Sequence, residues 1–286
     1  MKCFDQGSWF KRRTVLYLFL YVLFVYGPFA EAGERGRSIG ETFMNDLSIT
    51  GSDAVGFFFA PLSFGGKQWV YTGVAIAGTV LAMAVDEDIR RGIGRNTTAP
   101  LNRDFWDIPT RYGAVLNGQI FSLTTYATGL FIKNDDIRIT GRLMVESLAF
   151  SGAAVILVRY VAARSRPYSR EGPWHFNGFS WDNEIQSFPS GHTTVAFALS
   201  TVLAERIDSD WARIGLYGIA SLTAFARVYN NQHWFSDVMV GGGFGLLAGI
   251  YVVSMERERE REIPELGSRL SVQTSNTGLT LRYRLD

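Results

Sequence analysis

Six apolar stretches, parted by polar connections, leave few folds open to this chain. They cover residues 69–85, 112–132, 143–161, 193–204, 214–226 and 238–255. Their lengths and the scarcity of internal proline argue for helices rather than strands. Asn117, Gln119 and Glu146 interrupt them with polar groups. Gly241, Gly245 and Gly249 recur every fourth residue and give the last stretch a smooth face for close helix packing. The fourth and fifth stretches, at ~12–13 residues, fall short of the ~20 that a membrane span needs. The expected fold class is therefore all-α, a bundle of about six helices. At 286 residues the chain can bury a substantial core, and its 47% hydrophobic content exceeds that of an average soluble domain. The 19% charged content is high for a chain lying wholly in lipid, so a membrane or membrane-adjacent helical protein fits best. A net charge of +1, with acids and bases well mixed, gives no footprint for nucleic acid.

The two ends differ from the middle. Lys11, Arg12 and Arg13 precede the apolar run TVLYLFLYVLFVYGPFA, and Ala30-Glu31-Ala32 supplies small residues before Gly33. That order reads as a secretory signal peptide cleaved after Ala32, with an uncleaved signal anchor as the alternative. Cys3, the sole cysteine, precedes the apolar run, so a cleaved chain would carry no thiol for disulfides or catalysis. At the other end, ERERERE (256–262) spaces opposite charges for i,i+3 pairing on a solvated helix end. The alternating segment around Asn276-Thr277-Gly278 reads as a short β-hairpin. The expected organisation is thus a leader at 1–32, a polar segment at 33–68, a helical domain at 69–255 and a charged tail at 256–286.

Three polar clusters border the apolar stretches. Arg159 and Arg166, the latter followed by Pro167, close the third. Pro189-Ser190-Gly191-His192 opens the fourth. Arg227, His233 and Asp237 join the fifth to the sixth. Guanidinium forks suit phosphate oxygens and stay charged at any working pH. A helix opening at Ser190 offers unpaired N–H groups to a further oxygen, and Gly191 lets the backbone approach closely. An ordinary cap by Ser190 and interfacial anchoring by the arginines are the plainer readings of each piece alone. His233 and Asp237, four apart, share a helix face, so the carboxylate can accept from one ring nitrogen and leave the other free to attack phosphorus. His192 remains as a separate acid for the leaving oxygen. His175 belongs to no cluster and reads as a loop histidine.

The order Arg159-x6-Arg166-Pro167, then PSGH, then Arg227-x5-His233-x3-Asp237 resembles the signature of the type 2 phosphatidic acid phosphatase (PAP2) superfamily, which includes vanadium haloperoxidases. The resemblance runs from about residue 143 to 255. It implies a helical bundle that holds one phosphate without a metal or other cofactor. His233 would form a phosphohistidine, Asp237 would orient it and His192 would act as general acid. Arg159, Arg166, Ser190, Gly191 and Arg227 would bind the phosphate. Two positions depart from the family pattern: Arg159 stands where lysine is usual, and Ala226 where serine usually precedes the third arginine. The implied function is a metal-independent phosphatase acting on a phosphomonoester or pyrophosphate, with a lipid phosphate favoured by the apolar helices. The alternatives are a vanadate-dependent haloperoxidase-like enzyme and a non-catalytic helical membrane protein. The expected partners are the phosphorylated substrate and a membrane. The expected location is a bacterial-type cell envelope, with the site facing the periplasm and the bundle only partly embedded.

Overall fold

The computed structural model describes residues 37–96, 103–275 and 278–283; the expected leader at 1–32, Cys3 and the Asn276-Thr277 turn lie outside them. Eight helices follow in order: α1 (Ile39–Phe59), α2 (Gly66–Asn96), α3 (Arg103–Tyr112), α4 (Val115–Ile132), α5 (Asp135–Ala162), α6 (Gly191–Ile207), α7 (Asp210–Tyr229) and α8 (Phe235–Arg269). Two strands, β1 (Leu270–Ser275) and β2 (Gly278–Tyr283), pair antiparallel with Leu270 opposite Tyr283, the register of the expected hairpin. The all-α expectation holds, with more helices than the six apolar stretches announce.

Helices α5, α6 and α8 form the centre. Leu143, Met144, Phe150, Val195, Leu199, Val202, Leu203, Val252 and Val253 make the dry core between them. The glycine face of α8 lies flat on α6: a Cβ at Gly241 or Gly245 would fall 2.4 or 2.3 Å from the carbonyl oxygens of Ser190 and Thr194. This close approach sets where the first turn of α6 meets the first turn of α8. The helices α6 and α7 are 17 and 20 residues long, well beyond their apolar stretches, because each recruits polar residues at its ends. At 1.5 Å per residue they reach ~25 and ~30 Å. Among the described residues, three segments, Gly66–Ile93, Asp135–Ala162 and Phe235–Arg261, are long and apolar enough to cross a membrane, and the chain is a membrane protein.

The stretch at 33–68, expected to be merely polar, contains α1. Its N-terminus is fixed by a capping box, in which the Ser38 hydroxyl accepts from the Glu41 N–H and the Glu41 carboxylate accepts from the Ser38 N–H. The helix is inside out. Its buried residues are Asp46 and Asp53, whereas Phe43, Met44, Leu47, Val55, Phe58 and Phe59 are exposed. Asp46 pairs with Arg138 and accepts from the Tyr126 hydroxyl at 2.9 Å, Thr50 donates to Glu146 at 2.6 Å, and Asp53 pairs with Arg259. A water-soluble helix shows the opposite polarity. The expected solvated tail of α8 is likewise drawn inward in part, since Glu256 is buried and accepts from Arg142 Nη2 at 2.5 Å.

Candidate anion-binding active site

Consecutive helices in the central bundle run in opposite directions, and this alternation gathers the three sequence clusters at one end. Arg159 is in the last turn of α5, Gly191 and His192 in the first turn of α6, Arg227 in the last turn of α7, and Asp237 in the first turn of α8.

Arg159 Nε donates to the Pro189 carbonyl at 2.8 Å, which lays its guanidinium along the start of α6. A methyl group at Gly191 would come within 3.0 Å of Arg159 Nη2. Glycine therefore keeps backbone and guanidinium side by side, where both can face one oxyanion. Ser190 is the N-cap residue of α6 and fully buried, yet its hydroxyl caps no backbone N–H; it accepts instead from Thr193 Oγ1 at 3.1 Å. The plain reading of Ser190 as a helix cap fails. Arg166 is held from behind by the carbonyls of Asn183 and Gln232, each at 3.2 Å. Arg227 Nε is buried without a partner. An orphaned guanidinium donor among two other arginines is costly to leave dry and suits a bound oxyanion. Burial, and then Arg166, depress Arg227 to about 10. Among the described residues, no group of three or more His, Cys, Asp and Glu side chains is placed to hold a metal ion.

The imidazole of His233 is almost wholly buried just before α8 begins. Its Nδ1 lies 2.8 Å from the carbonyl oxygen of Ser187 and 3.6 Å from Asp237 Oδ2. Asp237 thus faces the expected ring nitrogen, while the Ser187 carbonyl makes the shorter contact. A carbonyl oxygen only accepts, so Nδ1 carries the proton and Nε2 keeps its lone pair. Asp237 sits behind as a charge, and its Oδ2 is occupied by the Ser187 hydroxyl and by the Trp234 N–H at 2.8 Å. Its own carboxylate thereby closes the first turn of α8, which is why the helix starts after His233 rather than through it. Burial, opposed by Asp237 and reinforced by Arg166 and Arg227, pushes His233 down to about 4. His192 is pushed down to about 3 by burial first and then by Arg227, His233, Arg159 and Arg166. Both rings are neutral at neutral pH, and His192 feels every arginine of the cluster. His175 stands apart in the loop after α5, its Nδ1 within 2.9 Å of the Ser165 hydroxyl and 3.1 Å of Glu171.

Sequence reasoning passed over two buried charges beside this site. Arg164, between the two arginines of the first cluster, and Asp86 of α2 are both buried, with Arg164 bonded to Asp237 Oδ1 at 2.5 Å and to Asp86 Oδ2 at 2.7 Å. The first acid of the run Asp86-Glu87-Asp88, at the edge of an apolar stretch, was the available signal, since such charges are costly unless paired.

Comparison with known proteins agrees with the motifs. Residues 141–261 match the family model described as the PAP2 superfamily. A lipid A 1-phosphatase of Porphyromonas gingivalis is 45% identical over 114 residues, covering 38% of this chain and 23% of that protein. A lipid A 1-phosphatase of Rhizobium etli is 31% identical over 110 residues, covering 37% of this chain and 45% of that protein. The matched part of the chain therefore spans less than half the length of these curated relatives. The crystal structure of a transmembrane PAP2-type phosphatidylglycerolphosphate phosphatase from Bacillus subtilis is similar at 20% identity and a TM-score of 0.49, covering 65% of this chain and 95% of that one. The four helix ends that gather the arginines and histidines lie within residues 141–261, the stretch that matches the PAP2-superfamily model.

Proposed function

We propose that this protein is a phosphatase that cleaves a phosphate ester or pyrophosphate of a lipid through a phosphohistidine. The observation that carries the reading is a neutral, buried imidazole whose Nδ1–H is held by a carbonyl, facing an arginine cluster with an unpartnered guanidinium donor. In the first step His233 Nε2 bonds to phosphorus and the bond from phosphorus to the leaving oxygen breaks, while His192 donates a proton to that oxygen. In the second, water attacks phosphorus, His192 takes a proton from it, and the bond from phosphorus to Nε2 breaks. Arg159, Arg166, Arg227 and the Gly191 N–H would hold the phosphoryl oxygens through both steps, where preorganised charge matters most, whereas the Ser190 N–H is spent on the Asp237 carbonyl at 3.0 Å and ties α6 to α8. Asp237 favours the positive charge that the imidazole acquires.

A lipid is favoured by what adjoins the cluster. A cavity of about 320 Å³ begins at Arg159 and Gly191 and runs between α4, α5 and α6 along Val115, Leu148, Val155, Ile156 and Val195. It offers an apolar wall to whatever the phosphate is attached to. The relatives named lipid A 1-phosphatases support the same class. The test is phosphate release by the purified full chain in detergent, with chelator present. Lipid phosphates are expected to give a kcat/KM well above that of water-soluble esters. Equal values for both would remove the lipid from the reading, and no release from any ester would remove the phosphatase.

We further propose that the site faces the periplasm in a bundle that is only partly embedded. Export of the N-terminus would leave Gly33 outside. Asp46 pairs with Arg138 near the start of α5, so α1 begins at the end of the bundle remote from the site. With both Gly33 and the site outside, α5 cannot cross completely. Cysteines introduced at Glu171, beside the site, and at Asp210, at the far end, in a Cys3→Ser background distinguish the arrangements. Labelling of both by an impermeant thiol reagent in intact spheroplasts is expected. Labelling at Glu171 alone would mean full spans with a periplasmic site. Labelling at Asp210 alone would put the site in the cytoplasm and overturn the proposal.

A further inference from the structure

Arg164 cannot take part in phosphate binding. Its five N–H groups make five hydrogen bonds: Nε and Nη2 to the Pro173 carbonyl at 2.8 and 2.5 Å, Nη2 to Asp86 Oδ2 at 2.7 Å, and Nη1 to Ser236 Oγ at 2.7 Å and Asp237 Oδ1 at 2.5 Å. The rings of Phe176, Phe188 and Trp234 surround it at 5.5, 5.9 and 5.5 Å. No donor is left over, and the side chain is fully buried.

Asp86 is equally enclosed. Its Oδ1 accepts from the Ser236 N–H at 2.8 Å, and its Oδ2 from the Ser236 hydroxyl at 2.6 Å as well as from Arg164. Two carboxylates, Asp86 from α2 and Asp237 from α8, therefore share one guanidinium, and they accept the N–H groups of Ser236 in the first turn of α8 and of Trp234 just before it. Replacing a buried charge triad by apolar residues is often neutral for stability, so its presence here asks for another reason. Arg164 alone would pin Asp237 while cancelling its charge. With Asp86 the triad keeps one net negative charge, located behind the ring whose Nδ1 lies 3.6 Å from Asp237.

We propose that Asp86 and Arg164 are positioning residues for His233: Arg164 fixes Asp237 and the first turn of α8, and Asp86 preserves the negative field behind the imidazole as Nε2 bonds to phosphorus. Asp86 lies outside the stretch that matches the family model, so α2 supplies a part of the site that the three motifs do not contain. This rests on His233 being the nucleophile.

The charged and titratable groups that act on His233 directly are Asp237 from α8, Arg166 from the loop after α5, Arg227 from α7 and His192 from α6, while Arg164 and Asp86 reach it through Asp237. The experiment compares the wild type with Asp86→Asn, Asp86→Glu, Arg164→Gln, Asp237→Asn and the Asp86→Asn/Asp237→Asn double variant. Rates are expressed per folded molecule from thermal unfolding, and His233→Ala is the control for the reading itself. Asparagine keeps the acceptor for the Ser236 N–H but removes the charge. It is expected to lower kcat by about 10- to 100-fold, the scale for an outer partner that orients an imidazole, with KM changed less than about threefold. Glutamate should recover most of the loss. In the Asp237→Asn background the Asp86→Asn change should still lower kcat, because it leaves the Arg164 charge uncompensated behind the ring. Arg164→Gln removes a positive charge, favours the protonated imidazole, and should move the acid limb of kcat/KM to higher pH. A scaffold role would give an unmoved limb and no rescue by glutamate, and either of these overturns the proposal. If the asparagine variant does not fold, the Arg164→Gln limb and the glutamate variant decide alone. An active wild type with an equally active His233→Ala would instead remove the nucleophile, a separate failure.

Discussion

Replacing His233 by alanine is expected to reduce phosphate release by at least ~10⁴-fold, and to abolish covalent labelling of the protein by a ³²P-labelled substrate under acid-free quench. The expectation follows from the ring's surroundings. Its Nδ1–H is committed to the Ser187 carbonyl, so the only nucleophilic atom it can present is Nε2. Losing a covalent nucleophile removes the whole two-step route, which in comparable systems costs several orders of magnitude. The same site predicts that turnover persists in excess chelator and is blocked by vanadate, which adopts the five-coordinate geometry of phosphorus in flight. Loss of activity in chelator, restored by a divalent ion, or a His233→Ala variant that still forms a phosphoenzyme would defeat the assignment. Vanadate-loaded protein that oxidises bromide with peroxide would favour the haloperoxidase-like chemistry instead.

What the chain discloses about itself divides along a physical line. Arg159, Arg166, Ser190, Gly191, His192, Arg227, His233 and Asp237 were legible because side-chain chemistry at fixed spacing survives in one dimension. Alternating helix directions then bring four helix ends together without further information. The partner of the imidazole was not legible, since the Ser187 carbonyl is a backbone atom that any residue would supply. Nor was α1. Its three inward polar residues, Asp46, Thr50 and Asp53, make the segment read as polar, whereas their partners Arg138, Glu146 and Arg259 lie about 90 to 210 positions away in sequence, a separation no local pattern reports. The outward apolar face of α1 has meaning only once lipid, rather than water, is taken as the surrounding medium. Arg164 was hidden for another reason: it stands two positions from Arg166 and looks like part of the same basic cluster, yet its donors face Asp86 and Asp237 while those of Arg166 face Asn183 and Gln232. Two like residues on one short loop serve opposite sides of one wall.

His192→Ala should lower kcat/KM by about 10²- to 10⁴-fold for an alkyl phosphate and by far less for an aryl ester with an acidic leaving group, because only the alkoxide needs a proton as it departs. Without a bound anion His192 is held down to about 3 by burial and by Arg227, His233, Arg159 and Arg166, so at neutral pH the protein does not bring the proton itself. A phosphate dianion among the same arginines offsets their charge and raises the ring, while the monoanion carries one proton into the site. The active complex holds that single proton, and kcat/KM should decline as pH rises past the substrate's second ionisation near pH ~6. The sign is fixed by the acid role: losing the proton from the complex removes the group that protonates the leaving oxygen. The decisive measurement is kcat/KM against leaving-group pKa for a series of aryl and alkyl phosphates, since that ratio reports the steps through phosphoenzyme formation. The wild type should give a shallow slope and His192→Ala a steep one, with the two lines converging at the most acidic leaving groups. Parallel lines would mean that His192 serves binding alone, and the acid would have to be sought elsewhere around the arginine cluster.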